Sequence, residues 1–363
     1  LRGRAILKTY DWVNKFGDIS KDYFLINPNY TLNFNLPKTL PEKNFLWIFE
    51  NYQTQFSQEV FIVKLNNARV VGSSDRGIAG PCIETSNGII LEDVLSYWGD
   101  TQGNLKSKNW LEIKDKEVGL IAEKWGGTNY CHWILTCLPK LLLLLDRFPD
   151  LSFFIHNSTD VNYVKEIFNL LNIDIKNVFS LSLTSNLKCE NLIVPSKIGF
   201  GVNVNRFAVS LIENFFDKYF ITGTKKIYVT RKNATSRRVI NEDLVVNLLT
   251  TLEFEIVELE LLSVLEQIKL FSQAKIIIAP HGAGLTNLVF CTPNTKVLEI
   301  FSSSYIGLCY WFLSNVKYID YYFIVDRNNN SSRDINKCFV DGERNIVVDM
   351  EDLKKILEIM EIY

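Results

Sequence analysis

The spacing of apolar and polar positions changes character partway along the chain. Up to about residue 115, short apolar stretches such as Phe45–Phe49 and Val60–Lys64 are punctuated by Pro, Gly and Asn, the pattern of short strands and loops. From Val118 the stretches alternate in length. Val118–Ala122 reads as a buried strand, 128–146 as a helix, Leu151–Ile155 as a strand, Val161–Leu171 as a helix and Asn191–Val194 as a strand. Strands alternating with helices of this length predict a parallel sheet with crossover helices.

An amphipathic helix over Arg206–Phe220 and a hinge at Gly223–Lys226 separate this series from a second one. Ile227–Thr230, Phe254–Glu258, Lys275–Ala279, Lys296–Ile300 and Tyr322–Val325 read as strands. Asn241–Thr250, Leu262–Phe271 and Ala283–Phe290 read as helices between them. The expected fold class is α/β, with two Rossmann-like domains facing a central cleft. The expected divisions are an irregular β-rich part at 1–115, a first Rossmann-like core at 116–222, a second at 223–348, and a terminal helix at 349–363 that packs back on the first domain. Open α/β sheets bind ligands at the carboxyl ends of their strands, so the chemistry is sought there.

Composition narrows the classes. A chain of 363 residues with 47% apolar and 22% charged positions can bury two cores. A formal charge of −2 provides no basic field, which argues against nucleic acid as the main partner but leaves room for a small anion held by local arginines. No apolar run reaches the roughly 18–20 residues of a membrane span, since Trp133–Leu145 is cut by Pro139 and Lys140. Peripheral membrane association stays compatible with this sequence. The first residues lack the apolar core of a signal peptide, and the chain does not begin with Met, which leaves room for an upstream piece. Cysteines at 82, 131, 137, 189, 291, 309 and 338 form no C-x-x-C pair and read as free buried thiols, which points to a cytoplasmic protein. The runner-up is a Golgi or ER lumen enzyme with its anchor removed. Sequons at Asn29, Asn157, Asn233, Asn329 and Asn330 are ascribed mostly to chance in an Asn-rich chain.

Three motifs and a glutamate carry candidate chemistry. In Lys275–Asn287 an apolar strand runs through Pro280 into His281-Gly282-Ala283-Gly284 and directly into a helix. Glycines let backbone approach a ligand, and the unpaired N–H groups of a helix start attract phosphate. His281, Leu285, Thr286 and Asn287 complete that candidate site. In the second motif, Thr230-Arg231 ends a strand, and Arg237-Arg238 precede a helix whose first turn holds Asn241 and Glu242. Guanidinium forks suit a diphosphate, while a solvated basic loop is the plainer alternative. The third, Trp125–Trp133, places His132 in the first turn of a helix, where an imidazole stays neutral and can act as a base. The competing reading is a packed structural histidine that braces Trp125 and Trp133 or positions the acceptor, with Glu123 or Asp146 taking the proton. Asn129, Tyr130 and Trp133 are candidates for touching an acceptor, against a role in the core. Glu299, at an expected strand end, either accepts ribose hydroxyls or caps backbone. No D-x-D metal clip, dinucleotide fingerprint or Walker motif is present, and Asp349-Met350-Glu351 reads better as a helix cap. No metal site and no cofactor beyond a substrate nucleotide are expected.

Asn129-Tyr-Cys-His-Trp-Ile…Leu-Pro-Lys140, Thr230-Arg231…Arg237-Arg238-x-x-Asn241-Glu242, and His281-Gly-Ala-Gly-Leu-Thr-Asn287 with Val297-Leu-Glu299 resemble, in this order, glycosyltransferase family 61. The resemblance covers about residues 118–301. It implies a GT-B architecture, inversion at the anomeric carbon, a nucleoside-diphosphate sugar donor, most often UDP-linked, and no obligatory metal. It also implies an acceptor domain in the first half, a donor domain in the second, and a glycan or glycoconjugate acceptor. Lys140 stands where an Arg is expected. The competing classes are a non-catalytic nucleotide- or glycan-binding module of the same fold and a Rossmann-framed hydrolase or dehydrogenase. The last lacks a nucleophile elbow and a dinucleotide fingerprint here.

Overall fold

Val60–Asp75 forms one sixteen-residue strand instead of a short one. Its polar positions Asn66 and Asn67 are exposed, and Asn67 takes a left-handed φ of +53°, so the buried positions pass from Val63 and Leu65 to Ala68 and Val70 through an irregularity that looks like a loop in the sequence. Phe45–Phe49 corrects in the other direction. It belongs to a short helix, Leu46–Glu50, with Ile48 and Phe49 buried. In this computed structural model the described residues are 5–41, 45–75, 78–94, 110–157, 160–182, 185–199, 204–326 and 344–363. Cys338, Asn329 and Asn330 lie outside them. Two units emerge, Leu1–Tyr30 with Phe56–Gly201 and Asn205–Phe215, and Thr31–Gln55 with Val202–Val204 and Phe216–Tyr363.

The sheet of the first unit is mixed. Asn186–Pro195 pairs antiparallel with the long strand, Leu192 opposite Leu65, and parallel with Leu111–Leu120. Phe153–His156 and Val178–Ser180 extend the parallel side. Ile78–Glu84 extends the antiparallel side. Only the half built after residue 110 follows the expected α/β alternation. The helix expected over 128–146 is three pieces: Tyr130–His132, a π-helical segment Trp133–Cys137, and Leu138–Arg147. Pro139 cannot donate to the helix ladder, and its ring crowds the preceding turn, so the wider π turn relieves the conflict. Leu138 N–H bonds the Trp133 carbonyl accordingly.

The second unit holds five parallel strands: Lys225–Val229, Glu255–Val257, Ala274–Pro280, Lys296–Phe301 and Asp320–Val325. Their spatial order is second, first, third, fourth, fifth, so the chain reverses direction between the first and third strands. The segment after the third strand is a 3-10 helix, Ala283–Phe290, rather than an α-helix. Thr31–Gln55, expected with the first domain, belongs to this unit. Lys38 N–H bonds the Tyr321 carbonyl at 2.9 Å, Phe323 N–H bonds the Lys38 carbonyl at 3.0 Å, and Phe34 and Phe49 pack on Trp311. Met350–Ile359 belongs to the second unit as well. Its Leu353, Ile356 and Leu357 share a core with Tyr228, Ile278 and Leu298. Asp349 caps this helix, accepting from Glu351 N–H at 3.0 Å. Among the described residues no helix is long and apolar enough to cross a membrane.

Candidate functional site

A cavity of about 340 Å³ opens at the reversal point of the second sheet. Thr230 and Arg231 line it from the end of the first strand, Leu259 and Glu260 from the end of the second, and Pro280, Gly282, Gly284 and Leu285 from the third. This is the position at which open α/β sheets take ligands. The 3-10 helix at Ala283 has no side-chain cap at Gly282, so its leading N–H groups carry the positive end of the helix toward this turn.

Gly282 leaves the space that the Arg231 guanidinium occupies. A Cβ there would lie 2.0 Å from Arg231 Nη1 and 2.8 Å from its Cζ, so the guanidinium lies directly against the turn. Arg231 Nη2 donates to the Ser236 carbonyl at 2.9 Å. Arg237 takes up a left-handed backbone, φ +53°, which a non-glycine residue holds only when its surroundings impose it. Its Nε donates to the His281 carbonyl at 3.2 Å and its guanidinium stacks 5.4 Å over the Tyr305 ring. Arg238 is exposed; its backbone pairs with Asn345 and Ile346 and it does not line the cavity. Glu242 accepts from Tyr228 and Thr230 hydroxyls, each at 2.8 Å, and Asn241 clamps Val348 by both backbone groups. That motif therefore contributes a guanidinium to the cavity and spends its remaining polar residues on fixing the strand end.

The other donor candidates lie behind the turn. His281 is buried, its Nδ1 bonded to Glu299 and its ring stacked on Phe301 and packed by Tyr305 and Tyr310. Glu299 is fully buried inside its strand, which runs on to Phe301, so it is not at a strand end. Its second oxygen accepts from the Tyr321 hydroxyl. That hydroxyl is held well above the usual phenol range, by burial first and by the adjacent Glu299 charge second. Thr286 and Asn287 have no exposed surface. Asn287 donates to Gln267 at 2.8 Å and to the Gly284 carbonyl at 3.2 Å. Gly307 was missed in the sequence, yet a Cβ there would meet His281 Cε1 at 2.7 Å. The run of tyrosines from 305 to 322 was the one signal that could have disclosed this aromatic box.

In the first unit Asn129 caps the broken helix, its side chain accepting from Cys131 N–H at 2.9 Å and His132 N–H at 3.3 Å. His132 is half-buried and stacks on Trp125, whose φ is +68°. Burial lowers its pKa below the ordinary imidazole value, against an opposing pull from Glu123, so the ring is neutral at pH 7. Trp133, expected to face an acceptor, is instead fully buried and donates to His156 Nε2 at 2.8 Å. Tyr130 keeps partial exposure and meets Tyr163 edge-on. Sequence reading missed the pairing of Glu123 with Lys140, both almost fully buried and in ionic contact. Lys140 needs only a point charge for that contact, which is why Lys serves where a fork was expected. Lys197 joins this neighbourhood: burial lowers its pKa, Glu123 opposes and Lys140 reinforces the shift. Asp146, the alternative base, sits at the far end of the helix, exposed beside Arg147. Burial pushes the Cys137 thiol up to about 12, so this sulfur is packing and no nucleophile.

Comparison with known proteins places these motifs in context. Residues 130–298 match the family model described as Glycosyltransferase 61. A stretch of 59 residues is 46% identical to the beta-1,2-xylosyltransferase RCN11 of Oryza sativa subsp. japonica. That stretch is 16% of this chain and 11% of the rice protein, so the chain matches only about a tenth of its relative's length.

Proposed function

The chain belongs to glycosyltransferase family 61, and from that premise we propose that it moves a sugar from a nucleoside-diphosphate donor, UDP-linked, to a hydroxyl of a glycan or glycoconjugate. The proposal includes a GT-B arrangement, inversion and independence from metal. One observation carries it: the Gly282 turn and the Arg231 guanidinium meet at the lip of a cavity at the reversal point of the parallel sheet. Backbone N–H groups and a guanidinium together offset the charge of a diphosphate without a cation.

In the proposed reaction the acceptor oxygen bonds the anomeric carbon as the bond from that carbon to the diphosphate oxygen breaks. The electron pair leaves with the nucleoside diphosphate, and the acceptor proton passes to His132. A neutral imidazole suits that task, and burial favours the neutral form. Arg231 and the turn stabilise the departing charge, which grows in the transition state and so counts toward rate. The buried thiols of Cys137, Cys189 and Cys291 accord with a cytoplasmic setting. A thermal-shift screen over UDP-, GDP-, CMP- and dTDP-sugars tests the donor reading, because a ligand of the native state raises the melting temperature. No shift with any of them at millimolar concentration would refute it. Glycan-dependent release of nucleotide separates an enzyme from a binding module.

A further inference from the structure

We propose that Glu260 is the carboxylate that holds the ribose diol of the nucleotide, and that it selects ribonucleotide over 2′-deoxyribonucleotide donors. This rests on reading the cavity as the donor site. A nucleotide carries two kinds of polar group besides its base, phosphate oxygens that only accept and a diol that can donate two hydrogen bonds. The cavity has a cationic end at Arg231 and the Gly282 turn. It needs an acceptor for the diol.

Glu299 cannot be that acceptor. It has no exposed surface, and its two oxygens are taken by His281 Nδ1 and the Tyr321 hydroxyl. Among the described residues lining the cavity, Glu260 carries the one carboxylate. It sits in the 3-10 turn Leu259–Leu261, directly after the second strand and beside the first. In the dinucleotide-binding form of the doubly wound sheet, where the glycine turn follows the first strand, a carboxylate further on accepts from ribose while the phosphates rest on that turn. Here the glycine turn follows the third strand, on the opposite side of the first, so both groups border one cavity. Asn233 orients the carboxylate, its Nδ2 donating to Glu260 Oε1 at 3.0 Å and to Glu258 Oε2 at 3.1 Å. The amide holds one oxygen, and the second is the acceptor we assign to the diol. A phosphate placed against Glu260 would be repelled, so the charges also set the direction in which the nucleotide lies.

The experiment is titration calorimetry of UDP, GDP and their 2′-deoxy forms against the parent, Glu260→Ala, Glu260→Gln and Arg231→Ala. A hydrogen bond to a charged group, discounted for the exposure of Glu260, gives the parent about a tenfold preference for the ribose form. Glu260→Ala should bring that ratio near one by weakening the ribose forms alone, and Glu260→Gln should retain part of it. Arg231→Ala should weaken ribose and deoxyribose forms equally and keep the ratio. An unchanged ratio in Glu260→Ala, or a parent ratio near one, overturns the role of Glu260 while leaving the donor site standing. A parent that binds neither UDP nor GDP overturns the donor reading and this inference together. Melting temperatures of the Glu260 variants, which change an exposed turn, should stay at the parent value.

Discussion

Gly282→Ala isolates the contact on which the donor reading rests. The backbone at Gly282 is extended, φ 172°, so alanine meets no conformational strain and the effect is purely one of space. Its Cβ would stand 2.0 Å from Arg231 Nη1, 2.8 Å from Cζ and 3.3 Å from Nε. Nonbonded heavy atoms settle near 3.5 Å, so the guanidinium must retreat by about 1.5 Å. Retreat breaks the 2.9 Å bond from Nη2 to the Ser236 carbonyl and withdraws the fork from the cavity. A charged hydrogen bond contributes about 1.5–3 kcal/mol, so the affinity for UDP should fall about 10- to 150-fold. The melting temperature should fall by no more than about 2–4 °C, because only the end of a flexible side chain moves. Calorimetric titration with UDP, uridine and the Arg231→Ala background tests the coupling. If the glycine acts through the arginine, the double variant binds like Arg231→Ala alone and uridine affinity hardly changes. Parental affinity in Gly282→Ala, or losses that simply add, would refute the reasoning.

Four further outcomes follow from other contacts. His132→Gln should lower kcat by about 10²–10⁴ with little change in donor affinity. Because burial lowers the His132 pKa, the parental kcat should stay flat through neutral pH and fall only below about 6.5. The same shift makes a stability contribution that is full above about pH 6.5 and lost as pH falls toward the lower folded value, and His132→Gln should remove that slope from urea midpoints; a parental slope in the variant would contradict it. Lys140→Met leaves Glu123 charged and buried, costing about 3–5 kcal/mol, and adding Glu123→Gln should recover much of the loss in denaturant titrations. Tyr321→Phe removes a donor from fully buried Glu299 and should cost about 1–3 kcal/mol, read from the shift in urea midpoint, with no shift arguing against the network. Turnover should persist in excess EDTA, and a loss restored by Mn²⁺ would show a carboxylate site outside the three motifs.

The second unit was legible because its strands are short apolar runs, and parallel strands buried on both faces read that way. Ala274–Pro280 and the turn after it are the clearest case. The first unit was less so. In Val60–Asp75 the alternation breaks at exposed Asn66 and Asn67, whose β-propensity is low, and antiparallel pairing with Asn186–Pro195 carries the strand through. The placement of Thr31–Gln55 was invisible because it depends on Phe34 and Phe49 meeting Trp311, far along the chain. Among the site residues, Gly282 and Arg231 were visible as types but their contact was not. Glu123 was visible only as an alternative to His132, since nothing local announces that Lys140 neutralises it.

The split between residues that line the cavity and residues that hold it explains why motif members such as His281 and Glu299 are buried. Glu299 stands opposite Ala279 on one neighbouring strand and Phe323 on the other. From there its oxygens reach His281 after the third strand and Tyr321 in the fifth. Three neighbouring strands are thus tied by one carboxylate, and the His281 carbonyl passes the constraint to Arg237. A phosphate cradle made of N–H groups and guanidinium is repulsive to itself until the anion arrives, so it must be held by contacts elsewhere. Holding it in advance lowers the ordering cost at binding. On this argument Glu299→Gln should disturb stability and donor affinity together, whereas Glu260→Ala should touch affinity alone. Two glutamates of the same unit would then separate by experiment into one that builds the site and one that reads the ligand.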